Sequence, residues 1–405
     1  MPGRALAFCV LAILARDAHA EPSVVVLVFD GFSPHYLERF PAPSFERLRS
    51  EGSFSHHMEP PFPSMSQSSG VTISTGCWPG RHGILSNRFL DPERGLYDRS
   101  GSTAWLTDCE HLDRAAERYG VRTASLGWYG RRNDPDAPDP APQDLDDMER
   151  AEQVAAWLAE PPGTRPRLLL AYFEGPDQAG HDAGVESDEV RTAVANADAA
   201  LARVLAAIDE QPDADSFQLI VTTDHGMVPA DTIINIARVL RRHEIEARAV
   251  SAGSTAFLYF ENPTQAAVED AIRKLASYSE FEVVRPESQP DDWHLGQGTR
   301  VGQLIVSAHP PYFIEDIEKW PWVFRWLRYV GPDSFPTSVW LAGMHGYHPG
   351  SAAVEGILYA RGSAFEPGRE VERVRAIDLH PTVFELLGVE TSHPVDGEVA
   401  RTLLR

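Results

Sequence analysis

The sequence predicts an α/β fold in which a mostly parallel central sheet is flanked by helices. Three short runs of leucine and β-branched residues, at 24–29, 168–173 and 219–223, are typical of strands buried on both faces of such a sheet. Over 188–209, apolar residues recur at helical spacing. Because strands and helices alternate along the chain, an α/β sheet is favoured.

A smaller α+β insertion is predicted to interrupt the main domain. It carries a strand at 256–260, a helix at 265–276 and a strand at 281–284, after which a strand at 355–360 and a helix at 379–387 rejoin the main core. The predicted organisation is a leader at 1–20, a first part of the main catalytic domain at 21–234, the insertion at 235–336, and a last part of the catalytic domain, with His345, at 337–405.

Composition narrows the possible functions. The chain has 405 residues, of which 43% are hydrophobic and 23% charged, as in globular proteins. Its 36 basic and 59 acidic residues give a formal net charge of −23. Nucleic-acid binding through a basic surface is therefore not expected, and any phosphate must be held locally, for example by a metal ion.

The first twenty residues are typical of an export signal. Arg4 precedes an apolar run at 5–15, and Ala18-His19-Ala20 offers a cleavage site of small residues. No later segment is long and apolar enough to span a bilayer. We therefore expect an exported protein, periplasmic or secreted, cleaved near Ala20. Two cysteines would then remain, Cys77 and Cys109, and the sequence leaves open equally a disulfide and two buried thiols.

Acidic and imidazole residues follow the three predicted strands. Asp30 ends the first run, Asp177 and His181 follow the second, and Asp224-His225 ends the third. Each alone is explained by a turn or a helix cap. Together they predict a shared site, because ligands bind at the carboxyl ends of parallel strands. Aspartate and histidine without cysteine favour catalytic zinc, and manganese or iron would fit the same donors.

Ser66 is the candidate nucleophile. It follows Phe62-Pro63 and begins a stretch compatible with a helix, whose free N–H groups and positive dipole end favour an oxyanion. A divalent cation would lower the pKa of its hydroxyl and make it reactive. The competing interpretation is an ordinary helix-capping serine.

From about residue 24 to residue 389, the chain resembles the nucleotide pyrophosphatase/phosphodiesterase family of the alkaline phosphatase superfamily. The resemblance is carried, in this order, by Val28-Phe29-Asp30-Gly31, Phe62-Pro63-Ser64-Met65-Ser66, Thr75-Gly76 with Pro79, His82-Gly83-Ile84 with Asn87, Pro176-Asp177 with Gly180-His181, Thr223-Asp224-His225-Gly226-Met227, and His345-Gly346-Tyr347.

The resemblance implies two zinc ions and a covalent phosphoseryl intermediate on Ser66. Asn87, with the backbone N–H of Ser66 or Gln67, would support a phosphoryl oxygen. The expected substrate is a small phosphate ester or diester, with nucleotides and lipid head groups as candidates. One ion would be held by Asp177, His181 and His345, and the other by Asp30, Ser66, Asp224 and His225.

The chain departs from the family pattern after the nucleophile. The family usually has threonine followed by Phe-Pro-Asn-His, and here Ser66 is followed by Gln67-Ser68-Ser69-Gly70. Gln67 removes one aromatic wall of a base-binding slot. Tyr172 resembles the other wall, although a strand residue in the core is an equally good interpretation. Nucleotide preference is therefore left open.

Three alternatives to the phosphodiesterase remain. A phosphomonoesterase or phosphonate hydrolase of the same superfamily would use the same metals. A non-catalytic zinc-binding protein is suggested by the altered stretch after Ser66. A sulfatase is suggested by Cys77-Trp78-Pro79-Gly80-Arg81, which matches the C-x-P-x-R pattern of formylglycine sites, but Cys77 follows Thr75-Gly76 where a sulfatase cysteine would precede such a pair.

Overall fold

The structure is a computed structural model that describes residues 21–99, 103–129, 145–318, 320–337, 342–348, 350, 354–391 and 394–405. Its strands are, in chain order, β1 (Ser23–Phe29), β2 (Ser53–Glu59), β3 (Arg88–Asp91), β4 (Gly95–Asp98), β5 (Thr123–Leu126), β6 (Leu168–Phe173), β7 (Phe217–Thr222), β8 (Val228–Pro229), β9 (Thr232–Asn235), β10 (Ala247–Ala252), β11 (Thr255–Phe260), β12 (Phe281–Val284), β13 (Leu304–Ala308), β14 (Tyr312–Glu315), β15 (Ser334–Pro336), β16 (Gly343–Met344), β17 (Gly356–Arg361), β18 (Arg369–Glu370) and β19 (Val374–Arg375).

The α-helices of the described residues are α1 (Pro34–Arg39), α2 (Pro43–Glu51), α3 (Ser66–Thr75), α4 (Pro79–His82), α5 (Leu112–Arg118), α6 (Asp147–Leu158), α7 (Asp177–Ala183), α8 (Asp188–Asp209), α9 (Ile236–Arg242), α10 (Gln265–Leu275), α11 (Leu327–Val330) and α12 (Leu379–Leu387). The predicted helix over 188–209 is confirmed at both ends. It begins after Ser187, whose side chain accepts a hydrogen bond from the backbone N–H of Val190 as an N-cap.

An eight-stranded mixed sheet forms the centre of the fold. Its order is β18-β2-β17-β7-β1-β6-β5, with β19 also paired to β2. The pairs β7–β1, β1–β6 and β6–β5 are parallel, whereas β17 runs antiparallel to both of its neighbours. The predicted mostly parallel central sheet is therefore confirmed.

The uninterrupted apolar run of β1 reflects burial on both faces of this sheet. Val24, Val26 and Val28 lie in one hydrophobic core, which also contains residues of α3, α5 and α12. Val25 and Leu27 lie in a second core with residues of α2, α6 and α8. Because helices cover both faces, neither face of the strand needs polar residues.

Two smaller sheets lie near and within the stretch assigned to the insertion. One is antiparallel with the order β10-β11-β13-β12, and the other has the order β14-β9-β15. A third core beneath them includes Ile234, Leu258, Val268 and Ile314. The strand predicted at 281–284 is found with these bounds, and the strand predicted at 256–260 starts one residue earlier. The boundaries at 235 and 336 stay predictions.

The predicted leader, 1–20, lies outside the described residues. Within the described part of the chain, every helix is too short or too polar to cross a lipid bilayer. Cys77 and Cys109 form a disulfide, with their Cα atoms 6.6 Å apart. Of the two states that the sequence left open for these cysteines, the structure therefore has the bonded one.

Candidate metal centre and nucleophile

The site lies at the carboxyl ends of three adjacent parallel strands. β1 leads directly into Asp30, and β7 leads through Thr223 into Asp224 and His225. β6, on the other side of β1, is followed by α7, which begins at Asp177 and carries His181 one turn later. His345 joins them because β16, which it follows, pairs with β8 just beyond His225.

Five of the six predicted metal-binding side chains come together as two overlapping groups. Donor atoms of Asp30, Asp224 and His225 lie within 4.8 Å of one another, as do those of Asp177, His225 and His345. The ring of His225 stacks on that of His345 with centroids 3.6 Å apart, so His225 belongs to both groups. His181 lies beside the second group, with its Nε2 3.5 Å from Asp177 Oδ1.

The hydrogen bonds of the three imidazoles define which ring nitrogen is free to bind a cation. Nδ1 of His181 lies 2.9 Å from the carbonyl oxygen of Gly343, and Nδ1 of His345 lies 2.8 Å from that of Ser64. Nδ1 of His225 lies 3.0 Å from the carbonyl oxygen of Gly226. A carbonyl can only accept, so each Nδ1 carries the proton and each Nε2 presents a lone pair.

These lone pairs face carboxylate oxygens. His225 Nε2 lies 3.3 Å from Asp30 Oδ1, and His345 Nε2 lies 3.7 Å from Asp177 Oδ1. Both carboxylate oxygens are buried without a hydrogen-bond partner among the described residues. A ring nitrogen lone pair that faces a carboxylate oxygen in a buried pocket is unfavourable, because both atoms are acceptors, unless a proton or a cation lies between them. The donor set therefore fits a divalent metal.

Burial dominates the protonation of the carboxyl groups. Desolvation, with the nearby Asp224 carboxylate, raises the pKa of Asp30 to about 8. Desolvation also raises the pKa of Asp177 to about 7 and that of Asp224 to about 6. The same burial lowers the pKa of His225 and holds that of His345 well below its usual range. Without a cation, burial favours the neutral forms of these side chains, whereas a bound cation would favour the ionised carboxylates.

Ser66, the predicted nucleophile, is the first residue of α3, and its Oγ lies 3.3 Å from His225 Nε2. Asn87 lies beside it: its Oδ1 accepts a hydrogen bond of 2.9 Å from the backbone N–H of Gln67. Its Nδ2 is buried and has no partner among the described residues. The Gln67 N–H is thus occupied by Asn87, and the free donor near Ser66 is the Asn87 amide.

Gln67 and Tyr172 line a cleft of about 250 Å³ that opens at Asp30, Ser66 and Asp177. The side-chain oxygen of Gln67 accepts a hydrogen bond of 3.0 Å from the hydroxyl of Tyr97. The hydroxyl of Tyr172 donates to Asp30 Oδ2, because the parallel register of β1 and β6 places Tyr172 beside Val28. Tyr172 therefore contacts a predicted metal ligand as well as the cleft.

The structure adds two residues that sequence reasoning missed. Tyr129, buried just beyond β5, donates a hydrogen bond of 3.1 Å from its hydroxyl to Asp224 Oδ2. Arg99 lines the cleft at Ser66 and also a second cleft of about 220 Å³ at Asn87, His181 and His345. Neither residue lies in a recognisable motif. The one available signal was Gly70, a glycine inside a helix, which indicates a close neighbour.

The sulfatase interpretation of Cys77 does not agree with the structure. Cys77 follows the far end of α3, a helix whose ten residues span about 15 Å from Ser66. Its sulfur is bonded to Cys109 and its side chain is fully buried. A disulfide sulfur is not available for conversion to formylglycine.

The mixed sheet covered by helices on both faces, with this cluster at its strand ends, is an alkaline-phosphatase-like α/β fold. Its fold is that of murine ectonucleotide pyrophosphatase/phosphodiesterase 5, with a TM-score of 0.81, 22% identity, and coverage of 95% of this chain and 100% of the other. A second structure of the murine protein, in an inactive form in complex with AMP, matches equally well.

Sequence comparison then identifies the family. The family model for type I phosphodiesterase/nucleotide pyrophosphatase matches residues 24–348, and the chain belongs to this family of phosphoric-diester hydrolases. An uncharacterized pyrophosphatase/phosphodiesterase of Schizosaccharomyces pombe is 26% identical over 369 residues, which cover 85% of this chain and 72% of the relative. A bis(5'-adenosyl)-triphosphatase of Xenopus laevis is 22% identical, with 98% and 85% covered. An ectonucleotide pyrophosphatase/phosphodiesterase of Caenorhabditis elegans is 25% identical, but the chain spans only 49% of its length.

Proposed function

We propose that the chain is an exported, zinc-dependent phosphodiesterase that acts through a covalent phosphoseryl intermediate on Ser66. The single observation that carries this proposal is the direction of the three imidazoles. Backbone carbonyls hold their Nδ1 atoms, so the lone pairs of Nε2 converge with buried carboxylates beside the Ser66 hydroxyl. In metal-binding histidines, a hydrogen bond from one ring nitrogen to a carbonyl or carboxylate orients the other nitrogen toward the metal in this way.

Two divalent cations would be held by the side chains assigned from the sequence, one by Asp177, His181 and His345, the other by Asp30, Ser66, Asp224 and His225. Nitrogen and carboxylate donors without thiolates suit zinc, with manganese or iron as the alternatives. When bound, the cations supply positive charge that lowers the pKa of the serine hydroxyl and offsets the charge of the phosphoryl oxygens.

The residues of the chain perform the remaining steps. Ser66 Oγ attacks phosphorus, so that a bond from Oγ to phosphorus forms while the bond from phosphorus to the leaving oxygen breaks. The proton of the Ser66 hydroxyl ends, through solvent, on that leaving oxygen, which departs as the alcohol. Asn87 Nδ2, a buried donor without a partner in the described part of the chain, donates a hydrogen bond to a non-bridging phosphoryl oxygen. Water then cleaves the phosphoseryl ester. One diester and one water give one monoester and one alcohol.

The substrate class follows from the cleft. Gln67 is polar where an aromatic wall would grip a base, and it is bound by Tyr97. The Tyr172 hydroxyl is bound by Asp30, which restricts its ring. Both features favour a phosphodiester whose second substituent is held weakly, so nucleotides and small phosphodiesters such as lipid head groups are both candidates. Among the relatives, two carry names that state nucleotide substrates, and one structure holds AMP.

Export, the zinc requirement and the division into domains are parts of the same proposal. The leader-like sequence at 1–20 supports export to the periplasm or the exterior. The Cys77–Cys109 disulfide supports it independently, because disulfides persist in oxidising compartments. The catalytic domain would comprise 21–234 and 337–405, with the insertion at 235–336 between them.

The test compares two serines of the same helix. Ser66→Ala should abolish turnover of bis(p-nitrophenyl) phosphate and of a p-nitrophenyl nucleotide ester. Ser69→Ala is the matched control, because the Ser69 hydroxyl is buried and has no hydrogen-bond partner among the described residues. Full turnover by Ser66→Ala, or a zinc-loaded protein that hydrolyses no phosphate ester, would refute the proposal.

One observation favours a second candidate, a phosphomonoesterase of the same superfamily. Arg99 lines both clefts, and its side chain makes no ion pair with another described residue. A guanidinium in this place would stabilise the extra charge of a monoester dianion. Faster turnover of p-nitrophenyl phosphate than of its diester would select this candidate, and the same panel with an aryl sulfate and a phosphonate ester tests the remaining ones.

A further inference from the structure

The ring of Tyr129 packs directly against the backbone of Gly70, beside the candidate metal centre. Gly70 lies in α3, four residues after Ser66, and a Cβ atom built on it would be 2.0 Å from Cε1 of the Tyr129 ring. Real Cβ atoms do not approach a ring so closely, so any other residue at position 70 must displace it. In the pattern that this family usually shows, histidine stands at this position. In this chain the ring of Tyr129 fills the space that the Cβ atom of any side chain at position 70 would need.

The ring that enters this space brings a hydrogen-bond donor to a predicted metal ligand. The Tyr129 hydroxyl donates to Asp224 Oδ2 at 3.1 Å. The other oxygen, Asp224 Oδ1, accepts from the backbone N–H groups of Gly31 and His225, at 3.2 and 3.0 Å. Asp224 is fully buried, and its orientation therefore depends on these donors. Tyr129 supplies the donor to the oxygen nearer the site, since Oδ2 lies 3.8 Å from His225 Nε2.

We propose that Tyr129 is a positioning residue of the metal centre, admitted by Gly70. It acts through Asp224, holding Oδ2 toward the cation that Asp30, Asp224 and His225 would share, and leaving one lone pair of that oxygen for the metal. The inference rests on the proposed function. The inference goes beyond that function because it assigns a role to two residues, Gly70 and Tyr129, that neither bind the metal nor react with the substrate.

The test measures zinc affinity in the metal-stripped, full-length protein by competition with a chromophoric chelator. Tyr129→Phe keeps the ring and removes only the hydroxyl. It should weaken one of two zinc equivalents by about 10–100-fold and leave the other unchanged. Tyr36→Phe is the control, because the Tyr36 hydroxyl is buried without a hydrogen-bond partner among the described residues. Unchanged affinity of Tyr129→Phe for both equivalents would overturn the proposal, and so would equal weakening of both, which indicates general loosening.

A double-mutant cycle, measured by thermal denaturation, tests the role of Gly70. Gly70→Ala should lower the Tm of the parent protein and change it little in a Tyr129→Ala background, where the ring is gone. Equal losses in the two backgrounds would show that Gly70 does not serve to admit Tyr129. If the parent itself bound no zinc, the proposed function would fail together with this inference. If the parent bound two equivalents and Tyr129→Phe bound them equally well, only the inference would fail.

Discussion

The three histidines of the candidate metal centre and the buried His82 lie within one fold, and their hydrogen bonds separate the two cases. In the metal centre, His181, His225 and His345 each use Nδ1 on a backbone carbonyl and present Nε2 to carboxylates. At the side of α3, His82 accepts from the backbone N–H of Ile84 at Nδ1 and lies 3.0 Å from Thr72 Oγ1 at Nε2. Because Nδ1 of His82 is an acceptor, its Nε2 carries the proton and no lone pair remains.

Burial does not distinguish a structural histidine from a candidate metal ligand. His82 and His225 are both fully buried. Burial lowers the pKa of His82 to about 3 and lowers that of His225 as well. The difference is the state of Nε2, which carries a proton toward the Thr72 hydroxyl in His82 and presents a lone pair toward the Asp30 carboxyl group in His225. The same substitution in the two groups should therefore affect different properties.

The largest expected effect is on catalysis. His225→Ala should lower kcat/KM for the diester by about 10³-fold, because losing a cation removes several kcal/mol of charge stabilisation. Bound zinc, measured by elemental analysis, should fall below that of the parent. His82→Ala should retain its zinc. Retention of full zinc and turnover by His225→Ala would remove the distinction between the two groups.

The next effect is on stability. His82→Ala should lower the free energy of unfolding by about 2–4 kcal/mol, because it leaves the Ile84 N–H and the Thr72 hydroxyl buried without partners. Urea denaturation of the metal-free protein measures this. In that state His225→Ala should cost less, because the Asp30 and Ser66 side chains that face its Nε2 line a cleft that water can enter. A loss larger for His225→Ala than for His82→Ala would contradict this account.

The two groups should also give opposite pH dependence. In the metal-free protein, Asp30 keeps its proton up to about pH 8, whereas its unfolded value is 3.8, so the unfolded state releases a proton that the native state holds. The free energy of unfolding should therefore fall as the pH rises through this window. Between pH 6.5 and about 3, His82 binds a proton in the unfolded state but not in the native state. Its contribution to the free energy of unfolding therefore falls as the pH falls.

Variants separate these slopes. Asp30→Asn should flatten the fall in stability between about pH 7 and 8, above the range in which Asp177 and Asp224 titrate, and His82→Gln should remove the opposing slope between pH 6.5 and about 3. Both are read from urea denaturation across the pH range. Bound zinc should remove the alkaline fall in the parent, because the cation takes the place of the protons. An alkaline slope that survives in Asp30→Asn would show that it has another origin.

The smallest effect concerns Arg99, which is exposed and lies in the left-handed backbone region with φ of +47°. Its backbone N–H donates to the carbonyl oxygen of Asn87 at 3.0 Å, which holds it beside the clefts. Arg99→Gln should raise KM about tenfold, the value of one charged hydrogen bond, while Tm stays within about a degree of the parent. A larger increase for the monoester than for the diester would favour the phosphomonoesterase.

Much of the fold was predictable because its signals are local. The helix over 188–209 follows from the spacing of Val190, Val194 and Leu201, and the buried strands follow from uninterrupted apolar runs. Five of the six candidate ligand side chains were predictable because they follow three predicted strands, and parallel strands end at one edge of a sheet. The sixth, His345, came only from the family resemblance. Their roles stay a proposal, as do the domain boundaries. For Tyr172 the sequence leaves a stacking wall and a core residue equally open, and its hydrogen bond to Asp30 depends on a register between strands that the sequence does not state.

The sequence by itself determined which segments are strands, which chemical groups end them, and the family resemblance, since these depend on residues near one another in the chain. Only the tertiary structure decided that His225 belongs to both donor groups, that backbone carbonyls orient the imidazoles, and that Tyr129 reaches Asp224 across 95 positions. The physical reason is that a hydrogen bond is directional over about 3 Å. Its partners are set by how distant segments pack, and periodicity and composition carry no information about that.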